Sequence, residues 1–519
     1  MWDDLSPQGR RAQYALATKY QALIDEHLEH PDAHQRLAAV VLSRFLASQI
    51  SEYESGDYLR DLGHAYCSFT VARDIFDIMP RATQEAWSDI TTRLATFGEA
   101  LGGWVELLAA AVGAGNVVPR RQVESIIEQA ENLAGDESRF LALVEESRQG
   151  GFGTPELEHA AQVARQQAGK TAAWLRSEYL PHAPEEDGVG EELYVRAAER
   201  FLGIVLDPEE AYAWGWSEIA RLRAEMAVEA AKVDPTLTLE EVLHLLETDP
   251  ARAVPREDFC RFVEERLKRA VDDLDGDHFD VPDPVRQITV SLAPPGGALG
   301  AWYVNPSVDW QRPGSVWYAL GTRTRIPVWQ EVATAYHEGF PGHHLQIGVA
   351  MFEAENLSLA HRTLIWYPGH GEGWALYAER AMDEFGYFET PDYRLGLLAS
   401  QIFRAVRVVV DIGAHLGLPI PADAPLHAGA AWDFDRAVDY VEQVGLQVRE
   451  VAESEVKRYL GWPGQAISYK VGEREILDIR RLLEERDEGF DLKDFHRRVL
   501  GSGNLRLDHL RELLLDETS

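Results

Sequence analysis

Tyr336-His337-Glu338-Gly339-Phe340-Pro341-Gly342-His343-His344 is the stretch that decides how this 519-residue chain is read. A His-Glu pair followed closely by further histidines, inside a helical pattern, is one way to build a zinc site with its own general base. The usual spacing is His-Glu-x-x-His, two imidazoles one turn apart on one helix face. Here position 341, where the second His would fall, is Pro341. On an unbroken helix, histidines six or seven positions apart would stand about 9–10 Å apart along the axis and could not share an ion. A break at Gly339-Phe340-Pro341-Gly342 is therefore required. Phe340 precedes proline and is pushed out of helical geometry, and Pro341 interrupts the hydrogen-bond ladder. His343 needs the smaller distortion and is the expected second ligand after His337; His344 is the alternative.

A hydrolytic zinc takes three protein ligands and keeps one position open. The third is sought on another helix. His370-Gly371-Glu372-Gly373-Trp374-Ala375-Leu376-Tyr377-Ala378-Glu379 supplies Glu372 near the start of an apolar helix, at a separation from His344 that suits a helix, a loop and a second antiparallel helix. Glu379, two turns later on the same face, is expected to support a ligand from behind. Glu338 beside the ion is the expected base. Taken singly, each element has a plain structural reading. Glu372 could be a carboxylate favoured by a helix N-terminus, and the histidines a polar helix junction.

Composition narrows the class. Hydrophobic residues at 45% and charged residues at 26% are ordinary for a globular protein. The net charge of −36, from 86 acidic and 50 basic residues, repels nucleic acid and anionic membranes, so neither is an expected partner. Cys67 and Cys260 are the only cysteines, which excludes a disulfide framework and a thiolate-rich metal site. The first residues show no secretory pattern, and no apolar run reaches the roughly 18 residues of a spanning helix. A cytoplasmic, soluble protein is the expectation.

The first half reads as helices, over 33–50, 84–113, 122–148, 155–179 and 190–204. Asp207-Pro208 opens another, and Thr238 with Glu241 forms a capping-box pattern. The Asp-rich run 272–284 fails the EF-hand positions and reads as an acidic connector. Then Arg286–Leu292 alternates like a strand, Gly296–Tyr303 is Gly-rich and then aromatic, and Val316–Leu320 and Thr324–Val328 read as short strands. The expected fold is mostly α: a large helical metallopeptidase-like fold with a deep cleft and a small β insert (285–328) before the zinc helix. A helical N-terminal half (1–284) and a catalytic half (285–519) would form one continuous fold around that cleft.

Four ordered motifs resemble the bacterial "domain of unknown function 885" family. Its His-Glu-x-x-Pro-Gly-His-His run is matched by His337 to His344, and its Glu-Gly-Trp-Ala-x-Tyr-x-Glu run by Glu372 to Glu379. A run similar to Arg-x-Val-Val-Asp-x-Gly-x-His falls on Arg407, Val409, Val410, Asp411, Gly413 and His415. Pro-Gly-Gln-Ala-x-Ser-Tyr-Lys-x-Gly is matched by Pro463 to Gly472, and an upstream Tyr-x-Asn by Tyr303-Val304-Asn305. The resemblance implies membership of the broad zinc-metallopeptidase superfamily and does not deliver a substrate.

The remaining candidates surround this core. Tyr469 is the first candidate to answer oxyanion charge, with Gln465 and Lys470 as second choices. Arg407 could bind a substrate carboxylate bidentately, which would favour a carboxypeptidase-like specificity. Asp411 and His415, one turn apart, could pair with each other, and structural pairing among these three residues competes with a substrate role. Tyr303 and Asn305 lie in an expected edge strand to which an extended peptide could add. The leading expectation is a Zn2+-dependent hydrolase cleaving short peptides. Its rivals are a zinc hydrolase of a small non-peptide amide or ester, and a non-catalytic helical protein that binds metal or ligand.

Overall fold

The computed structural model describes residues 2–293 and 300–515, so the expected Gly-rich start at residues 296–299 lies outside the described residues. The protein is mostly α. Helices start where local chemistry dictates. The Asp207 carboxylate accepts from Glu210 N–H at 3.0 Å and Pro208 takes the first position of the helix Pro208–Val233. Thr238 and Glu241 close a reciprocal box at the next helix, with Glu241 N–H donating to Thr238 Oγ1 at 3.2 Å and Thr238 N–H to Glu241 at 2.8 Å.

Five strands occur among the described residues: β1 (Ala253–Pro255), β2 (Ile288–Leu292), β3 (Gly300–Val304), β4 (Gly314–Ala319) and β5 (Arg325–Pro327). β4 is central, parallel to β2 and antiparallel to β3, so β3 is an edge strand. β5 pairs instead with β1, register Val254↔Ile326. A three-residue strand far upstream gives no alternation to read, which is why β1 was absent from the expectation. The acidic run 272–284 begins inside the helix Arg256–Leu274 and is answered by Arg286, paired to Asp272 and Asp275, and by Lys493, paired to Asp280.

The chain divides into two compact units. The first comprises Met1–His30, Leu42–Val189 and Glu453–Trp462. Its helices bury an apolar core in which Phe140 meets Phe76 and Phe97 edge to face at 5.4 and 5.2 Å. Here one expectation is corrected. Residues 84–114 are long and apolar enough to span a membrane by length and composition. They form two helices, Gln84–Ala95 and Phe97–Ala114, and Phe97, Leu101, Trp104, Leu107, Leu108 and Ala111 of the second are buried in this core. The apolar composition is that of a core helix.

The second unit comprises Pro31–Val41, Gly190–Ala452 and Pro463–Ser519. Within it the helix Pro208–Val233 packs along Pro391–Leu416, and Pro368–Glu384 packs along Ser468–Arg486. The latter crossing is close because glycines face each other. A Cβ on Gly472 would collide with the Gly369 carbonyl, and one on Gly373 with the Gly472 backbone. That approach brings Glu372 and Tyr469, each near one of these glycines, onto neighbouring helices.

Candidate metal centre

The helix Glu331–Glu338 stops immediately after the His-Glu pair, and a new helix, His343–Phe352, starts at the next histidine. The four residues between them fold back on the first helix: Gly342 N–H donates to the Tyr336 carbonyl at 3.0 Å and His344 N–H to the Gly339 carbonyl at 3.2 Å. Any side chain at 342 would strike the carbonyls of Tyr336 and His337, so the turn requires glycine. The Phe340–Pro341 bond is cis. Trp374 pins the turn from the neighbouring helix, its indole N–H donating to the Pro341 carbonyl at 3.0 Å.

This break turns His343 back toward His337. The ligating atoms of His337, His343 and Glu372 lie within 4.8 Å of one another. His337 Nε2 and His343 Nε2 are each 3.4 Å from Glu372 Oε2. That separation exceeds a good N–H···O hydrogen bond of about 2.9 Å. It matches the spacing of about 3.3–3.4 Å between donor atoms sharing a tetrahedral ion at bond lengths of about 2.0–2.1 Å. Two imidazoles and a carboxylate, without thiolates, are a donor set suited to zinc. The residues present therefore fit a single divalent ion held by His337, His343 and Glu372.

Behind the triad, His337 Nδ1 is 2.7 Å from Glu379 Oε1, and Ser400 Oγ donates to Glu379 Oε2 at 2.8 Å. Glu379 is fully buried. Accepting the Nδ1 proton, it leaves the Nε2 lone pair of a neutral ring facing the triad. Burial opposes charge on His337, but hydrogen bonds to Glu372 and Glu379 outweigh it and lift the metal-free ring to about 9. Burial pushes Glu372 up, yet the His343 charge and the two imidazoles 3.4 Å away hold it well below the usual carboxylate range. Burial raises the Glu338 carboxyl above its usual value against the pull of His337 and His343, which suits a group that must take up and release a proton.

The structure separates the remaining expected residues. His344 does not join the triad: its Nε2–H donates to the Val285 carbonyl at 2.6 Å and its Nδ1 accepts from the Tyr303 hydroxyl at 3.0 Å. Burial holds this ring down to about 4, consistent with the neutral tautomer that both bonds need. Tyr303 thus spends its hydroxyl on His344, while Asn305 is exposed just past β3. Tyr469 lies against the centre, its ring nearly parallel to His337 with centroids 6.4 Å apart. Arg407 is buried with its guanidinium 4.5 Å from the Tyr469 centroid. Gln465 is buried in the turn before the helix of Tyr469.

Two expected substrate residues are turned inward instead. Lys470 donates to Gln401 and Glu473 and lies 3.4 Å from Glu218, because helical geometry points it away from its neighbour Tyr469 and into the packed interior. His415 is fully buried, 3.6 Å from Asp411 and beside the Tyr194 ring. Asp411 accepts from Tyr194 OH at 2.7 Å and from Gly464 N–H at 2.9 Å, so it fixes the turn that leads to Tyr469.

Four residues at or beside the centre escaped the sequence reading. Ser400 orients Glu379, Trp374 anchors the turn, Trp366 sets a half-exposed indole 6.0 Å from the His343 ring, and Arg404 stands 5.8 Å from the Tyr469 centroid. Trp374 stands inside a quoted motif, and Arg404 sits three residues before Arg407, so both had a positional signal. Ser400 and Trp366 had none.

The fold and site define a mostly α protein with a buried two-histidine, one-carboxylate group. The chain belongs to the family described as "Bacterial protein of unknown function (DUF885)", whose model matches residues 1–514. Among solved structures, it is similar to a "putative lipoprotein" from Colwellia psychrerythraea, at 22% identity and a TM-score of 0.83, covering 99% of this chain and 91% of that one. It is also similar to a "putative lipoprotein of unknown function" from Shewanella oneidensis, at 18% identity and a TM-score of 0.73, covering 99% and 94%. These likenesses show the fold. No curated protein matches the sequence.

Proposed function

We propose that this chain is a zinc-dependent hydrolase of short peptides, with His337, His343 and Glu372 as ligands and Glu338 as general base. The observation that carries the reading is the 3.4 Å spacing of two imidazole nitrogens around one Glu372 oxygen, with Glu338 adjoining a ligand. A bound divalent ion supplies Lewis acidity and lowers the pKa of water. Glu338 takes the proton from the attacking water and hands it to the leaving amine. Its raised pKa strengthens it as the base for the first transfer. Tyr469, against the His337 ring, is assigned to the oxyanion. The edge strand β3 offers backbone groups to an extended peptide, and Trp366 an apolar wall beside His343.

The test is metal analysis of the purified protein together with hydrolysis of a panel of di- and tripeptides, free and blocked at either end. Stoichiometric zinc and cleavage lowered at least about 100-fold in Glu338→Gln are expected. Protein that takes up no zinc, or cleavage unchanged by Glu338→Gln, would sink the reading. Turnover of small amides or esters with none of peptides would move it to the non-peptide class. A cytoplasmic location is proposed separately, on the two free cysteines, and subcellular fractionation tests it.

A further inference from the structure

We infer that Arg404 and Arg407 form a clamp for the free C-terminal carboxylate of the substrate, which would make the enzyme an exo-acting carboxypeptidase. The inference deepens the hydrolase reading and rests on it for turnover, but not for binding. The two arginines lie three residues apart on the helix Pro391–Leu416, a spacing that puts both on one face. Their guanidinium groups stand over the same Tyr469 ring, at 5.8 and 4.5 Å from its centroid. That ring is in turn nearly parallel to His337, at an interplanar angle of 17°. One aromatic ring is therefore the common neighbour of both cations and of a metal ligand.

Charge pairing marks Arg404 out. Arg394, ten residues earlier on the same helix, is neutralised by Glu229 at 2.6 Å and Asp383 at 3.2 Å. Arg404 makes no ion pair among the described residues. Its Nε is buried without a hydrogen-bond partner, and its Nη1 has only a 3.4 Å contact with the Ser400 carbonyl of its own helix. Its positive charge acts against burial at the Glu338 carboxyl. In a chain of net charge −36, a buried guanidinium nitrogen without an acidic partner is an unusual allocation. Stacking on a ring uses the guanidinium face and leaves the in-plane N–H fork to take a carboxylate bidentately. With about 3.8 Å between successive Cα atoms, a carboxylate held at the Tyr469 ring, whose centroid is 6.4 Å from that of His337, suits release of one or two C-terminal residues.

The test measures binding and turnover separately on the full-length protein. N-acetyl dialanine and its carboxamide are titrated calorimetrically into the metal-free protein, and a free-acid tripeptide and its carboxamide are assayed with the zinc-loaded form. The wild type is expected to favour the acid by about 100-fold in both measurements, as two charge-assisted hydrogen-bond pairs allow. Arg404→Gln should weaken the acid at least tenfold relative to the amide, through KM. Arg404→Lys, which keeps the charge and loses the fork, should fall between them. Equal binding of acid and amide by the wild type overturns the clamp, as does binding of neither. A parallel loss on both ligands in Arg404→Gln also overturns it, since that marks a residue acting only on folding or on Glu338. Acid-selective binding without any hydrolysis would keep the clamp and remove the hydrolase reading.

Discussion

The two compact units bury different things. In the first, the core is aromatic and aliphatic, and among the described residues Asp57 is its only buried side chain of the Asp, Glu, His, Lys and Arg types. In the second, His337, His343, Glu379, Asp411, Lys470 and Glu473 are all buried. A buried charge costs several kcal/mol unless it is paired or coordinated, on the order of what one helix contributes by packing. A unit that accepts this cost repeatedly is one in which side-chain position is held for more than stability. Its buried groups form two kinds of network. Lys470, Glu473 and Gln401 satisfy one another internally. The triad does not, because its atoms stand too far apart to hydrogen-bond well and close enough to share an ion.

The largest effect that would sharpen this contrast is Glu338→Gln. Removing one proton acceptor while preserving shape should lower kcat by about 10²–10⁴ and leave zinc content intact, measured by peptide turnover and metal analysis. Trp104→Ala probes the other unit. It empties a fully buried site whose indole N–H also donates to the Asp61 carbonyl at 2.7 Å. A loss of about 3–5 kcal/mol in denaturant unfolding is expected, with zinc affinity of the folded protein unchanged. Loss of zinc in this variant would break the division of labour between the units. Glu379→Gln should weaken zinc about 10–100-fold in chelator competition, because the buried partner of His337 Nδ1 loses its charge.

The smallest effect concerns pH. His337 in the metal-free protein is raised from 6.5 to about 9. Its charged form is thus favoured by folding, so this stabilisation is complete below pH 6.5 and is lost as pH rises through 9. Zinc competes with the same proton. Its affinity should therefore climb with pH by up to about tenfold per unit and level off above pH 9. Calorimetric titrations at several pH values check the slope, and a flat profile would show that His337 releases no proton.

Much of the fold was legible because it is written locally. Apolar periodicity gave the helical class, Asp207 and Thr238 gave helix starts, and alternation gave β2, β4 and β5. The 84–114 segment was read as helical, and its being apolar enough to pass for a membrane span went unnoticed; the buried side chains of Phe97–Ala114 place it against a core. At the centre, residue types marked His337, Glu338, His343 and Glu372 as candidates, and the run from Gly339 to Gly342 announced a break in the helix. Proline and glycine act within a turn or two of themselves, so a sequence by itself determines that the chain must bend there. Which imidazole the bend turns inward was decided by tertiary structure. Val285 and Tyr303 claim His344, and Glu372 on another helix meets His343. The same holds for Lys470, drawn into the interior by Gln401 and Glu473, and for Arg404, which meets the Tyr469 ring together with Arg407. Convergence of side chains from separate helices depends on how those helices pack, and no local pattern encodes it.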